Sequence, residues 1–351
     1  MLARGWRDVD FVLVTGDAYV DHPSFGAAII SRLLEAEGYR VGVLSQPDFT
    51  TCESMKEFGR PRYGFFIGGG NVDSMVAHYS VAKIRRAQDE YTPGGAAGKR
   101  PDRSATVYTQ LAKQAYPDLP VILGGLEASL RRFATTTIGW MMCCPASSRA
   151  AGRISFPSAW GNARRRRLHG DWRPGSRWRR HRRCGDLLSD GFRRSARVLC
   201  GVRLFCQSAR GQDGICQSLP HPDGQPGRCL GQARGAKTIG AVSGAEHPAA
   251  PLTRRELDAV YALPFTRRYH PSYEALGGVP AIEEVEFSII HNRGCFGGCN
   301  FCAIQLHQGR RVTSRSADSV VREAEAMTHA PGFKGYIHDV GGPTANFRLP
   351  S

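Results

Sequence analysis

The sequence predicts an α/β fold with a parallel sheet covered on both faces, and three observations predict it. Four short apolar runs, "FVLVTG" (11–16), "YRVGVLSQP" (39–47), "YGFFIGGG" (63–70) and "PVILGG" (120–125), each end in glycine or proline. Apolar residues recur at helical spacing between runs. Strand and helix alternate, and such a chain needs crossover connections, hence a parallel sheet.

Each element has its own signal. Residues 11–16 read as a buried strand. "SFGAAIISRLLEAEG" (24–38) reads as a helix with Ile29, Leu33 and Leu34 on one face, Ser24 placed to cap it and Gly38 to end it. The second and third strands follow at 39–47 and 63–70. A helix around 105–115 precedes the fourth. Strands ending in glycine put loops at the carboxyl edge of the sheet, where such folds bind ligands. At that edge Gly68, Gly69 and Gly70 either cradle a phosphate or simply make a strand-to-helix turn. Asp17, Asp21 and His22 either touch a ligand or cap a turn. Regular patterns return near 252. Thr253 and Glu256 have capping-box spacing, and residues 285–294 read as a strand. Residues 316–329 read as an amphipathic helix capped by Ser316, and 334–342 as a strand ending in glycines. His270, His291 and His307 receive no role.

Composition narrows the function classes. A chain of 351 residues can bury two cores. No stretch approaches about 18 consecutive apolar residues, so no transmembrane helix and no membrane partner is expected. The N-terminus lacks a cleavage-site pattern and reads as mature cytoplasmic protein. The 11 cysteines, an odd number, argue against a secreted disulfide framework and for a reducing compartment. The net charge of +16 is concentrated in one place. Residues 149–234 hold 19 arginines, five aspartates and neither lysine nor glutamate, which leaves the rest of the chain nearly neutral.

"RGCFGGCNFCAI" (293–304) carries the chemistry. Thiolates bind soft metals. A structural zinc site wants four ligands, whereas Cys295, Cys299 and Cys302 form a C-x3-C-x2-C run with no fourth partner nearby. Three thiolates leave one iron of a [4Fe–4S] cube open to a substrate or cofactor.

This spacing, with Phe301 before the third cysteine, resembles the radical S-adenosylmethionine (radical SAM) superfamily. The resemblance implies that Cys295, Cys299 and Cys302 ligate a [4Fe–4S] cluster whose open iron chelates S-adenosylmethionine. Reductive cleavage then yields a 5′-deoxyadenosyl radical. It places Phe301 near the adenine. Gly341 and Gly342 of "DVGGP" stand where the family usually holds the cofactor's amino group, with Pro343 in place of the usual glutamate. "VTGDAYVDHPSFG", "GKRPDR", "VILGGLEASLRRFA", "RGCFGGCNFC" and "GGPTAN" together resemble YgiQ-type radical SAM proteins. That family implies a doubly wound domain, similar to cobalamin-binding ones, at residues 1–134. It also implies the start of a radical SAM β/α barrel at 252–351, truncated after one helix and one strand. Cobalamin is left open, because Asp21 and His22 are adjacent and do not form an Asp-x-His-x-x-Gly motif. The substrate is unknown, and the reductant would be a flavodoxin or ferredoxin.

Residues 135–251 break the pattern. They show no sustained period of 2 or 3.6 and are expected to be disordered. Suitable codons for "TTTIGWMMCCPASS" (135–148), read with one extra base in front, give His-Tyr-Asp-Tyr-Trp and a sensible continuation. A one-base loss near codon 135, restored between about 235 and 252, therefore explains the arginine-rich segment. On this reading the chain is a frame-disrupted, inactive relative of a radical SAM enzyme. Cys143, Cys144, Cys184, Cys200, Cys206, Cys216 and Cys229 then have no metal role. The competing class is a nonenzymatic basic protein whose arginines neutralise nucleic-acid phosphates while Trp172 and Trp178 stack on bases.

Overall fold

The computed structural model describes residues 1, 4–130, 251–342 and 347, together with four short strands between 135 and 245. The N-terminal sheet is parallel throughout. It comprises β1 (Phe11–Thr15), β2 (Val41–Ser45), β3 (Gly64–Gly68) and β4 (Val121–Gly124), in the order β2-β1-β3-β4. β1 lies in register with both neighbours: Phe11 faces Val41 on one side and Gly64 on the other. Chain order reverses at β1, which puts a topological switch between β1 and β3. β1–β2 and β3–β4 step in opposite directions along the sheet, so the right-handed crossover rule puts their connecting helices, α1 (Gly26–Ala36) and α3 (Ser104–Ala115), on opposite faces. Their apolar stripes cover the sheet, and Phe11, Val12, Phe65, Ile67, Tyr108 and Leu123 form the centre of one core.

Two sequence expectations about α1 part ways. Gly38 does end it, with φ +90° and its N–H on the Glu35 carbonyl. Ser24 does not cap it. The N-cap is Phe25, without a side-chain bond, and the Ser24 amide is drawn instead to Nδ1 of His22 at 3.0 Å. A short helix, α2 (Ser74–His78), follows β3, and α4 (Gly125–Leu130) follows β4 directly. Two antiparallel pairs come next: β5 (Thr135–Thr136) with β6 (Cys143–Cys144), and β7 (Phe205–Ser208) with β8 (Val242–Ala245). These short pairs are what the structure gives of the stretch expected to be disordered. Trp172, Trp178, Cys184, Cys200, Cys216 and Cys229 lie outside the described residues.

The later segment opens with α5 (Arg254–Tyr261), capped as the sequence predicts by the reciprocal Thr253–Glu256 box. The strand expected at 285–294 is shorter and split. β9 (Ser288–Ile290) runs straight, then the chain breaks at His291 and β10 (Asn292–Arg293) turns away to pair antiparallel with β11 (Thr313–Ser314). Between them lies α6 (Ala303–Gln308). α7 (Ala317–Thr328) is capped by Ser316, whose oxygen accepts the Ser319 N–H. Of the strand expected at 334–342 only β12 (Asp339–Gly341) forms, since two glycines at positive φ, Gly332 and Gly335, interrupt what precedes it. β12 pairs parallel with β9.

The other side of β9 faces arginines. Arg267 donates to the carbonyls of Glu286 and Ser288, and Arg315 donates to that of Ile290 at 3.0 Å. Glu323 on α7 pairs with both guanidiniums. Tyr261 stacks beneath Arg315, ring centroid 4.5 Å away. Backbone carbonyls that would be left without a ladder partner are thereby satisfied.

Candidate functional site

The cysteine loop hangs from a closed neck. The Gly294 N–H donates to Oε1 of Gln308 at 3.0 Å, and the Cys295 N–H to the Gly309 carbonyl at 3.1 Å. Gly294 has φ +88°, and a β-carbon there would strike the carbonyl of Arg311. Only glycine fits this crossing. Beyond the neck the loop is open. Cys295 and Cys302 are half-buried, Cys299 is exposed, and all three are free thiols. Among the described residues, no three His, Cys, Asp or Glu side chains converge on one point.

The loop nonetheless suits a thiolate-held cluster. A β-carbon on Gly297 would lie 3.2 Å from Cys295 Sγ and 3.8 Å from Cys299 Sγ, so both sulfurs flank one bare glycine. The Gly297 N–H points at Cys295 Sγ, 3.4 Å away. Amide donors of this kind tune the reduction potential of iron–sulfur clusters. Arg310 reaches to within 3.6 Å of where a Gly298 β-carbon would sit, adding positive charge beside the thiols.

Phe301 is 91% exposed and Phe296 68%. Phe296 packs on Phe347, with centroids 4.3 Å apart. Gly341 and Gly342 stand at the carboxyl end of β12. Since β12 runs parallel to β9, this end lies beside the end of β9 at Ile290, two residues before β10 leads into the cysteine loop. The His291 N–H on the Gly341 carbonyl, 2.9 Å, is the last rung between them. The glycine pair thus ends a strand of the β9–β12 sheet, while the cysteine motif follows β10 of the neighbouring β10–β11 pair.

Helix α6 ties this loop to the first sheet. Ser129 on α4 donates to the Gly125 carbonyl and accepts from Nδ1–H of His307 on α6, 3.0 Å away. Burial, with Arg293 nearby, pushes the His307 pKa down to about 3, so the ring is neutral and fits this role. The sequence reading assigned His307 nothing, because a lone histidine on a short helix carries no signal. His270 only caps a local turn through Nδ1.

Most of the polar atoms singled out at the first sheet's carboxyl edge have partners within the fold, Nε2 of His22 being an exception. Asp17 and Asp89 flank the fully buried Arg100, at 2.6 and 2.7 Å. Burial pushes the Asp17 pKa up to about 6 against the pull of Arg100. Gly70, at φ +112°, leaves room for the Asp17 carboxylate. Asp21 pairs with Arg32 and accepts the Thr266 N–H. His22 is wholly buried and turn-bound. Glu127, also wholly buried, accepts the N–H groups of Ser74 and Ala105 and so caps α2 and α3 together. The cavity at this edge measures about 60 Å³, room for a few water molecules.

Three thiols clustered in one loop of an α/β chain have the chemistry of a thiolate-bound metal site. Comparison with known proteins makes this specific: residues 1–137 and 226–288 match the radical SAM N-terminal family, and the chain belongs to that family. It is 43% identical over 380 residues to a UPF0313 protein of Clostridium perfringens, covering all of this chain and 53% of that one. A UPF0313 protein of Clostridium botulinum is 41% identical over 366 residues, covering 97% and 53%. The chain therefore spans about half the length of the curated relatives it matches. Among solved structures it is similar to the radical S-adenosylmethionine methyltransferase TsrM from Kitasatospora setae with cobalamin and [4Fe-4S] cluster bound. There the TM-score is 0.40 and the identity 16%, over 90% of this chain and 45% of that one, a likeness too weak to carry an argument. Among the described residues no helix is long and apolar enough to cross a membrane.

Proposed function

We propose that this chain is the N-terminal portion of a radical SAM enzyme, in which Cys295, Cys299 and Cys302 hold a [4Fe–4S] cluster with one iron left for S-adenosylmethionine. The observation that supports the reading is that β12, which ends at Gly341, pairs parallel with β9, the strand that comes five residues before the first cysteine. When bound, the cluster supplies the electron that splits S-adenosylmethionine into methionine and a 5′-deoxyadenosyl radical. The chain's own residues do the positioning. Gly294 and Gln308 close the loop's neck, and Gly297 leaves space between two sulfurs. The exposed ring of Phe301 offers an apolar face to the adenine, and the backbone of Gly341 and Gly342 borders the amino-acid end. Cobalamin is not part of the proposal. A flavodoxin or ferredoxin is the reductant class, and the substrate lies beyond the reading.

The frame-shift reading of residues 135–251 belongs to the same proposal. It is supported by the break in the family match between 137 and 226, which falls on the arginine-rich segment. Sequencing codons 120 to 260 separates its two forms: an extra base near codon 135 makes the basic segment an artefact of the reading and the enzyme intact, and an unchanged sequence makes the chain a decayed gene product; a nucleotide sequence whose shifted frame does not give His-Tyr-Asp-Tyr-Trp sinks it.

Anaerobic reconstitution with iron and sulfide tests the cluster. The expected product is brown, absorbs near about 400 nm as thiolate-bound iron–sulfur clusters do, and loses that absorbance in Cys299→Ala. A colourless protein that binds RNA in a salt-dependent way would instead favour the basic nucleic-acid-binding class.

A further inference from the structure

Asn292 is the odd residue at this edge. It is completely buried, and among the described residues neither Oδ1 nor Nδ2 has a hydrogen-bond partner. Buried amides are almost always paired, and leaving both ends unpaired is unfavourable unless something else supplies the partners. Its position says what that could be. Asn292 lies just past the last rung between β9 and β12, two residues after β9 ends and three before Cys295. Across from it is Gly342. A β-carbon on Gly342 would collide with the carboxamide at Cγ, Oδ1 and Nδ2, so the bare glycine is what lets the amide lie against the backbone. Pro343, next in sequence, brings neither a side-chain acceptor nor an N–H.

We propose that Asn292 binds the amino-acid end of S-adenosylmethionine, its Oδ1 accepting from the ammonium and its Nδ2 donating to the carboxylate. The proposal rests on the radical SAM reading above and assigns a residue that reading leaves out. A carboxamide offers one acceptor and two donors side by side, whichever way it is flipped. A zwitterionic amino-acid group offers the complement, cationic donors and anionic acceptors on one carbon. A hydroxyl is too short to meet both, and a carboxylate would meet the ammonium and repel its neighbour. The burial of Asn292 strengthens both bonds by excluding competing water.

The test uses the full chain, anaerobically reconstituted, with three readouts: iron and acid-labile sulfide per chain, S-adenosylmethionine binding by equilibrium dialysis, and the urea midpoint of the metal-free protein. Asn292→Leu should retain wild-type iron, bind S-adenosylmethionine at least tenfold more weakly, and unfold at a higher urea midpoint, since it removes an unpaired buried amide. Asn292→Asp, unchanged in size, should also retain iron and bind at least tenfold more weakly. Wild-type affinity in Asn292→Leu would overturn the assignment and leave the radical SAM reading standing. So would a lowered midpoint or lost iron, which would make Asn292 a prop for the loop. A wild-type chain that takes up no iron would overturn the reading itself, and this assignment with it.

Discussion

In the first sheet Asp17, Asp89, Arg100 and Glu127 are buried and meet one another or the N-termini of helices. In the cysteine-bearing segment Asn292 is as deeply buried and its carboxamide has no hydrogen-bond partner among the described residues, while Cys299 and Phe301 stand in the open. Both regions carry equally conspicuous glycine-rich motifs. The difference is in the polar ledger. Where motif residues satisfy each other, the motif builds the fold. Where they leave donors, acceptors and thiols without partners, the motif awaits something from outside. The first sheet also holds buried atoms without a hydrogen-bond partner, Nε2 of His22, Nε2 of His78 and the Tyr108 hydroxyl, but its buried charges are paired; on that count we read the first sheet as scaffold and the segment around Asn292 as the working surface.

The comparison can be broken most easily at Arg100. Arg100→Met leaves two buried carboxylates facing each other, and should cost about 3–5 kcal/mol of stability, read from urea unfolding. A loss under 1 kcal/mol would show that this edge is wet and open, contrary to the scaffold view. Glu127→Ala removes a carboxylate from two helix starts and should cost about 2–3 kcal/mol, with α2 and α3 losing amide-exchange protection together. Loss of protection in one helix alone would refute the double cap.

A weaker effect joins the two regions. The folded pKa of His307 is depressed to about 3, below its unfolded value of about 6.5. Its contribution is therefore complete above pH 6.5 and drains away as pH falls toward 3. Unfolding free energy should slope downward across that window in wild type and less steeply in His307→Gln. Identical slopes would sever the proposed tie between α4 and α6. The smallest effect is expected at Cys299. In metal-free protein Cys299→Ala should change stability by no more than about 0.5 kcal/mol, as exposed positions do, while abolishing iron uptake. A large loss of stability would make that thiol part of the scaffold.

How much of this was legible beforehand follows the same divide. The four strands of the first sheet, α3, the Thr253–Glu256 box and the Ser316 cap were readable because period and capping chemistry are local signals. The split of the strand at His291 was not, since "VEFSIIHNRG" is uniformly strand-like and only pairing with β11 turns the chain. The cysteine loop announced itself by spacing. Asn292 could not, because its significance lies in what it fails to touch, and that depends on Gly342, 50 residues away. Arg100 hid for the opposite reason: its partners Asp17 and Asp89 lie 83 and 11 residues away, and spacing in the sequence gives no sign that they close on it.

The guanidinium clamp on β9 sets a direction of growth. The carbonyls of Glu286, Ser288 and Ile290, which a strand arriving on that side would need, are already occupied by Arg267 and Arg315. That flank is sealed, and new strands can join only beyond β12. A strand added to this pair would therefore meet the arginines on one side and the open side of β12 on the other.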